Sequence, residues 1–196
     1  ALPIYEVQPG FARTGQAFFG FARHGIVPDM ITMGKPMGNG IPISGLAAKE
    51  DVLAAFSDKL PYFNTFGGNP VSIAAAQAVL KYIKDENLQE HCKKAGAALL
   101  KALKEVQERH PESVGDVRGA GLFLGFEFVK NDGNKTPDKD MALNVIEMLR
   151  DEHILTSVIG HYGNILKLRP PMVFSENDID WFATSLDKCI TKLENE

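Results

Sequence analysis

The pattern of apolar and polar positions changes near the middle of the chain. Before this point, short apolar runs bounded by glycine and proline are typical of buried strands; they are Ile4–Val7, Met30–Met33 and Ile43–Ala47. From Leu88 onward, apolar residues recur at steps of three or four, which is the period of an amphipathic helix. The pattern predicts a loop-rich piece of an α/β sheet followed by a compact α+β unit. We place the boundary between residues 90 and 91.

Several helices carry recognisable start signals. Asn69 and Pro70 are an N-cap and a first helical residue. They open an alanine-rich helix to about Lys84, whose small residues predict burial against a sheet. Ser175, with Asp178 three residues later, predicts the start of the last helix. The remaining predictions are helices over residues 50–60, 88–109 and 138–151, and strands in two runs within 114–129, near 154–158 and over 165–168.

The composition is that of an ordinary globular protein. The 196 residues include 21 basic and 25 acidic ones, and the net charge of −4 excludes a polybasic nucleic-acid binder. No apolar run reaches the ~18 residues that span a bilayer. Cys92 and Cys189 lie far apart in predicted helices, and neither the cysteines nor the histidines have metal-ligand spacing. These features predict a cytoplasmic protein with no metal site and no nucleic-acid or membrane partner.

Lys35 stands in the most unusual local sequence of the chain. It directly follows a predicted strand and is surrounded by Gly34, Pro36, Gly38 and Gly40, so we expect a tight turn that holds its backbone. In a low-dielectric site a lysine amine favours its neutral form, which is the nucleophile that forms a Schiff base with a carbonyl compound. On spacing alone, a surface lysine on an ordinary glycine-rich turn explains the same pattern.

Three further polar clusters lie at predicted strand or helix ends. Thr65, beside two glycines, precedes the alanine-rich helix, where backbone N–H groups either bind an anion such as phosphate or simply form a helix cap. Arg169 follows a predicted strand, and its guanidinium suits a carboxylate ligand or a structural ion pair. Glu6 and Gln8 end the first strand, at the kind of sheet edge where α/β proteins bind ligands.

Taken in order, these clusters resemble the class III aminotransferases, which are enzymes that depend on pyridoxal 5'-phosphate (PLP). The strand-end motif D-E-V-Q-x-G-F-G-R-T-G of that family is similar to residues 5–15, and its Schiff-base lysine motif is similar to the sequence around Lys35. The stretch N-T-F-G-G-N-P matches residues 64–70, R-G-x-G-L matches residues 118–122, and R-P-P begins at Arg169. The resemblance runs from about Ile4 to the C-terminus.

The resemblance implies a fold and an activity. The fold is α/β, PLP-transferase fold type I, with residues 1–90 forming part of the large cofactor domain and residues 91–196 the C-terminal α+β small domain. The activity is transfer of an amino group from an amino acid or amine to a 2-oxo acid, by a ping-pong route through pyridoxamine phosphate, in a homodimer. Family members are much longer, so the chain is expected to be a C-terminal portion with little activity by itself.

The resemblance also implies a role for each candidate residue. Lys35 would hold PLP and move the proton between substrate and cofactor carbons. Gln8 would bind the phenolic oxygen of the cofactor, and Glu6 would line the cofactor strand. Thr65 would reach the cofactor phosphate of the partner subunit. Arg169 would bind the substrate carboxylate.

Two positions depart from the family pattern. Tyr5 replaces the aspartate that pairs with the pyridine nitrogen, and a neutral phenol cannot stabilise the charge of that ring. Ala12 replaces a glycine and would strain its loop if the position needs a positive φ. Two alternatives to amino transfer follow: a PLP-dependent phospho-lyase, since residues 164–172 resemble a branch that contains such enzymes, and a non-catalytic fragment or pseudoenzyme in which Tyr5 marks lost cofactor chemistry.

Overall fold

The computed structural model describes residues 1–195. The chain divides into two compact units, Ala1–Glu90 and His91–Glu196. Within the described part of the chain, every helix is too short or too polar to cross a lipid bilayer.

The first unit contains a three-stranded mixed sheet. β1 (Pro3–Glu6) pairs in parallel with β2 (Met30–Met33), and β2 pairs antiparallel with β3 (Gly45–Ala48). The first two predicted strands are confirmed. The third begins two residues later than predicted.

Two α-helices and two short 3-10 helices complete the first unit. The α-helices are α1 (Glu50–Ser57) and α2 (Pro70–Asp85), and the 3-10 helices are Gly20–His24 and Lys35–Met37. The predicted cap is confirmed, because the Asn69 side chain accepts a 3.0 Å hydrogen bond from the backbone N–H of Ser72. The prediction that α2 is buried against a sheet was wrong for this chain. Its main neighbour is the 3-10 helix Lys35–Met37, so most of its surface stays exposed.

The second unit is an antiparallel sheet packed with helices. Its strands lie in the order β4-β5-β7-β6. The strands are β4 (Val114–Ala120), β5 (Phe123–Phe128), β6 (Val158–Ile159) and β7 (Ile165–Leu168), and the helices are α3 (Leu88–Arg109), which starts at the end of the first unit, α4 (Lys139–Asp151) and α5 (Glu176–Glu194). The helix and strand types predicted from periodicity are confirmed for α3, α4, α5, β4, β5 and β7.

The core of the second unit follows the alternation visible in the sequence. Leu122, Leu124, Phe126 and Phe128 are buried, while the residues between them are partly exposed. Burying each such side chain contributes about 1.5–3 kcal/mol. The capping box of α5 is also confirmed, since Ser175 and Asp178 each accept a hydrogen bond from the backbone N–H of the other.

The strand predicted near residues 154–158 is almost absent. The end of α4 explains the difference, because His153 adopts a left-handed φ of 63° there. The N–H of His153 donates to the carbonyl of Arg150, and that of Ile154 donates to the carbonyl of Leu149. This is a Schellman motif. The backbone N–H groups of His153 and Ile154 are thus used to end α4 and cannot pair with a strand. Strand pairing starts only at Val158.

The turn between β4 and β5 packs directly on α3. Gly96 of α3 is buried, and a Cβ added there would lie under 3.0 Å from the backbone of Gly121. Beside this turn, the Arg118 guanidinium donates to Asp116 and Glu127, each at 2.6 Å, and these carboxylates raise the pKa of Arg118. The R-G-x-G-L motif therefore forms a fixed contact between helix and hairpin.

Asp29 ties the three strands of the first unit together at one end. Its carboxylate accepts hydrogen bonds from the backbone N–H of Leu2 at 2.6 Å and from the Lys49 ammonium at 2.7 Å. Both contacts favour the charged carboxylate, and the Lys49 contact is the larger cause that holds the pKa of Asp29 below its usual value.

Replacing Asp29 by asparagine is expected to lower the melting temperature at neutral pH. The pKa of Asp29 is lower in the folded state than in the unfolded state, where it is about 3.9. The carboxylate therefore stabilises the folded state at pH values above the unfolded-state pKa, and this stability is lost as the pH falls through the folded-state pKa. The melting difference between Asp29→Asn and the parent should therefore close below about pH 4. The matched change Asp58→Asn, on an exposed carboxylate of the same unit, should show no such closing difference. A difference of the same size at pH 3 and pH 7 would contradict the linkage.

Candidate active site

The parallel pairing of β1 and β2 brings two candidate residues to one edge of the sheet. The register pairs Glu6 with Met33, which are the last residues of the two strands. Gln8 and Lys35 each lie two residues beyond this pair. Both therefore emerge at the carboxyl edge of parallel strands, where α/β sheets bind ligands.

The backbone at Lys35 is fixed by a series of turns. Hydrogen bonds join Met37 N–H to the Gly34 carbonyl at 3.1 Å and Asn39 N–H to the Pro36 carbonyl at 3.3 Å. Lys35 itself has a φ of 44°, a left-handed conformation that costs a residue with a side chain about 1–2 kcal/mol. Such strain clusters at functional sites. In this chain the Lys35 side chain is exposed at the sheet edge.

Glu6 anchors the loop that follows β1. Its side chain is 1% exposed, and its two carboxylate oxygens accept the backbone N–H groups of Gly20 at 2.9 Å and Phe21 at 2.8 Å. Gly20 also packs tightly against Pro9, because a Cβ added at Gly20 would lie 2.6 Å from the Pro9 side chain. Glu6 thus holds residues 9–21 beside the sheet edge, and its carboxylate faces backbone amides.

Tyr5 lies on the opposite face of β1 from Glu6, as strand alternation requires. Its side chain is 72% exposed. Thr32 of β2 and Leu46 of β3 share its face of the sheet through the strand register. This face of the three-stranded sheet is open to solvent at Tyr5 and Leu46.

The loop after β1 contains the second departure from the family pattern. Ala12 is fully buried and has a φ of 67°. The position therefore does have a positive φ, and alanine is strained there where the family has glycine. The left-handed conformation costs alanine about 1–2 kcal/mol. Thr14 in the same loop is buried, and its hydroxyl has no hydrogen-bond partner within residues 1–195.

Thr65 lies in an exposed loop before α2. Asn64 closes this loop by accepting hydrogen bonds from the backbone N–H groups of Phe66 at 3.1 Å and Gly67 at 3.0 Å. The aromatic side chains on either side of Thr65 are strongly exposed, at 85% for Phe63 and 83% for Phe66. The loop thus presents apolar rings and a hydroxyl to the outside of this chain.

Arg169 belongs to the second unit and lies directly after β7. It lines a cavity of about 490 Å³ together with Lys167 and the prolines that follow it. Arg169 was a candidate from the sequence, whereas Lys167 was only one residue of the segment 164–172. The signal that identifies Lys167 is the strand period of two, which places residues 167 and 169 on the same side.

The structure therefore brings Tyr5, Gln8 and Lys35 to one sheet, with Glu6 supporting their loop. Thr65 lies in the same unit, on a separate exposed loop. Arg169 lies in the other unit. No group of three histidine, cysteine or acidic side chains within residues 1–195 is arranged to hold a metal ion.

Comparison with known proteins identifies the family. The model of the class III aminotransferases matches residues 2–190, so the chain belongs to this family. These are PLP-dependent enzymes of fold type I, and the predicted fold class and cofactor are confirmed.

The curated relatives include proteins named as phospho-lyases and proteins named as aminotransferases. The chain is 44% identical to ethanolamine-phosphate phospho-lyase homolog 1 of Caenorhabditis elegans, covering 96% of this chain and 41% of the relative. It is 39% identical to alanine–glyoxylate aminotransferase 2 homolog 2, mitochondrial, of Arabidopsis thaliana, covering 96% of this chain and 39% of the relative. The chain spans about two fifths of the length of these curated relatives.

Solved structures show the same two kinds of relatives. A phospholyase from Arthrobacter in complex with phosphoethanolamine superposes with a TM-score of 0.93 at 39% identity, covering 97% of this chain and 45% of that one. A transaminase from the marine bacterium Virgibacillus superposes with a TM-score of 0.90 at 30% identity, covering 99% of this chain and 46% of that one.

Proposed function

We propose that this protein holds PLP at Lys35 and transfers the amino group of an amino acid or small amine to a 2-oxo acid. The parallel pairing of β1 and β2 carries the proposal, because it places Lys35 and Gln8 at one carboxyl edge. Membership of the class III aminotransferases supports the assignment of that edge to the cofactor. In this proposal residues 1–90 are part of the cofactor domain, and residues 91–196 are the small domain.

The groups at the edge fit PLP at two points and less well at a third. The Lys35 amine suits its aldehyde, and the Gln8 amide can donate to its phenolic oxygen. The Tyr5 hydroxyl can donate to an unprotonated ring nitrogen but cannot balance the charge of a protonated one. When bound, PLP supplies an electron sink for charge that develops on the substrate carbon.

The residues of this chain then bind, orient and move a proton. The Lys35 amine is a basic group at the edge that can move a proton at the substrate carbon. The turns around Pro36 hold its backbone, which limits the positions that the amine can reach. Glu6 acts as a positioning residue through the loop at Gly20 and Phe21. Arg169 binds the anionic group of the substrate.

We also propose that a second copy of the chain covers the loop at Thr65. Large exposed apolar patches mark interaction sites, and the rings beside Thr65 are such a patch. The Thr65 hydroxyl would then reach the cofactor phosphate of the partner subunit. The cytoplasmic location stays a prediction.

Reductive trapping tests the proposal on this chain. After incubation with PLP and reduction with sodium borohydride, we expect the pyridoxyl group on Lys35. Peptide mapping by mass spectrometry can identify the labelled residue, because the reduced amine bond survives digestion. Lys35→Arg keeps the charge and should lose this label. Lys59→Arg, which alters an exposed lysine of the same unit, should keep it. Labelling spread evenly over the exposed lysines would reject Lys35 as the attachment site.

A phospho-lyase is the second candidate, favoured by the 44% identity to a phospho-lyase homolog and by the superposition on the Arthrobacter phospholyase. The two activities differ in what they need and release. Amino transfer consumes a 2-oxo acid, whereas elimination releases inorganic phosphate without one. Assaying the complete product of the gene for both outputs separates the candidates.

A further inference from the structure

Asn39 is followed directly by glycine, and this pair lies in the turns that follow Lys35. It is the only Asn-Gly pair of the sequence. Both residues are exposed, and a Cβ added at Gly40 would meet no atom within 4 Å. Within residues 1–195, neither the side-chain amide of Asn39 nor the backbone N–H of Gly40 has a hydrogen-bond partner. The two groups are therefore open to water and are not engaged in competing bonds.

An asparagine amide and the backbone nitrogen of the next residue can react with each other. The nitrogen of Gly40 attacks the side-chain carbonyl carbon of Asn39. A bond forms between these two atoms, the bond from that carbon to the side-chain amide nitrogen breaks, and ammonia leaves with the proton that Gly40 loses. The product is a five-membered cyclic imide. One water molecule then opens the imide at either carbonyl carbon, which yields aspartate or isoaspartate.

The turn favours this reaction in two ways. Glycine has no Cβ to hinder the attacking nitrogen. Ring closure requires Asn39 to rotate out of its folded conformation, whose left-handed φ of 45° is unfavourable for a residue with a side chain. Few bonds oppose the rotation: Asn39 N–H donates to the Pro36 carbonyl at 3.3 Å, and Ile41 N–H donates to the Gly38 carbonyl at 3.1 Å. An exposed turn of this kind opens locally at little cost in free energy.

A related pair in the second unit, Asp132 and Gly133, is protected by its contacts. The Asp132 carboxylate accepts hydrogen bonds from the backbone N–H groups of Asn134 at 2.9 Å and Thr136 at 3.3 Å. The Thr136 hydroxyl, followed by the Asn134 N–H, holds the pKa of Asp132 below its usual value. Asp132 is therefore an ionised and engaged carboxylate, which resists attack by a nucleophile. The Asn39 amide has neither form of protection.

We propose that Asn39 is a deamidation site, and that its conversion to isoaspartate loosens the turns that hold Lys35. Isoaspartate carries the main chain through the former side chain, so it adds one carbon to the backbone between Gly38 and Gly40. The hydrogen bonds that close these turns span only three residues, and a longer backbone cannot keep their geometry. The effect on Lys35 rests on the proposed function, whereas the modification rests on the turn alone.

Ageing of the chain in solution tests the modification. The protein is incubated at physiological temperature, and peptide mapping by mass spectrometry follows the exchange of the amide NH₂ for OH. An isoaspartate-specific methyltransferase with a labelled methyl donor detects the isoaspartate product. We expect Asn39 to convert at least about tenfold faster than Asn134, which is also exposed but is followed by lysine. The rate should rise with pH, because the attacking nitrogen must lose its proton.

Matched variants and a peptide separate the turn from general ageing. Asn39→Gln should abolish conversion at this position, because the longer side chain would have to close a six-membered ring. Asn134→Gln should leave the rate at Asn39 unchanged. A synthetic peptide of residues 34–44 gives the rate without the folded structure, and the chain should react within about tenfold of it, since the turn opens at little cost. Circular dichroism confirms that each variant is folded.

Reductive trapping of PLP tests the effect on Lys35. Conversion of Asn39 adds one negative charge, so ion exchange separates the converted chain from the unconverted one. We expect the isoaspartate form to carry at least about twofold less pyridoxyl label on Lys35, because positioning of the amine is lost. Asn39→Asp adds the same charge without the extra carbon. When freshly prepared, this variant should keep the label of the parent.

Conversion at Asn39 less than about tenfold faster than at Asn134, or more than about tenfold slower than in the peptide, would overturn the deamidation site. Equal labelling of Lys35 in the converted and unconverted chains would overturn the effect on the turn. If Asn39 converts while the unconverted chain is not labelled at Lys35, the proposed function falls and the modification stands. If Lys35 is labelled while Asn39 stays intact, the modification falls alone.

Discussion

Replacing Gly96 by alanine should lower the free energy of unfolding of the second unit by about 3 kcal/mol, the upper end of the usual cost of overpacking. The added Cβ would lie under 3.0 Å from the backbone of Gly121, and backbone cannot rotate away as a flexible side chain does. The sign of this change in the free energy of unfolding tests the packing, because alanine in place of glycine normally stabilises an exposed helix interior by about 1 kcal/mol.

Urea unfolding followed by circular dichroism measures the effect of Gly96→Ala. Lys101→Ala, on an exposed position of α3, is the matched control and should stay within about 0.5 kcal/mol of the parent. A stabilised Gly96→Ala variant would show that the hairpin moves away from α3 at little cost, contrary to the packing described.

Replacing Glu6 by glutamine should release the loop after β1. The carboxylate accepts the N–H groups of Gly20 and Phe21 with one oxygen each. The amide keeps one acceptor oxygen and turns an NH₂ group toward the other backbone N–H. One N–H then lacks a partner in a buried place, which costs about 1–3 kcal/mol.

Hydrogen exchange of the Gly20 and Phe21 amides measures this loss directly. We expect these two amides to exchange faster by one to two orders of magnitude, because the cost of the unpaired N–H lowers the free energy of local opening by about 1–3 kcal/mol. Exchange in β5 should be unchanged, because that strand belongs to the other unit. If the amides of residues 20 and 21 exchange as in the parent, Glu6 does not hold the loop. The variant also tests whether Glu6 positions the edge at Lys35, because trapping of PLP there should fall.

The sequence was informative wherever a local rule decided the structure. The caps at Asn69 and Ser175 were predictable because a side chain bonds to a backbone group only three residues away. The alternation around Phe126 and Phe128 was predictable because each strand side must face either core or solvent. The prediction failed at residues 154–158, where the same apolar residues serve to close α4.

Long-range contacts were not predictable in this way. His110 carried no signal in the sequence, and the structure buries it with Glu194 at 2.7 Å on one ring nitrogen and Asp187 at 3.1 Å on the other. These partners lie on α5, far along the chain, and no periodic pattern relates them. The contact of Gly96 with Gly121 is of the same kind.

For the candidate site, the sequence by itself indicated the family by resemblance, singled out Lys35 as the candidate attachment residue and gave the residue types around it. Only the tertiary structure showed that Gln8 and Lys35 share one sheet edge, that Glu6 holds a loop, and that Lys167 joins Arg169 in a cavity. The physical reason is that a motif records local backbone needs, such as turns and caps, within a few residues. The pairing of strands and the lining of a cavity depend on which distant segments meet, and that is decided by the packing of the whole unit.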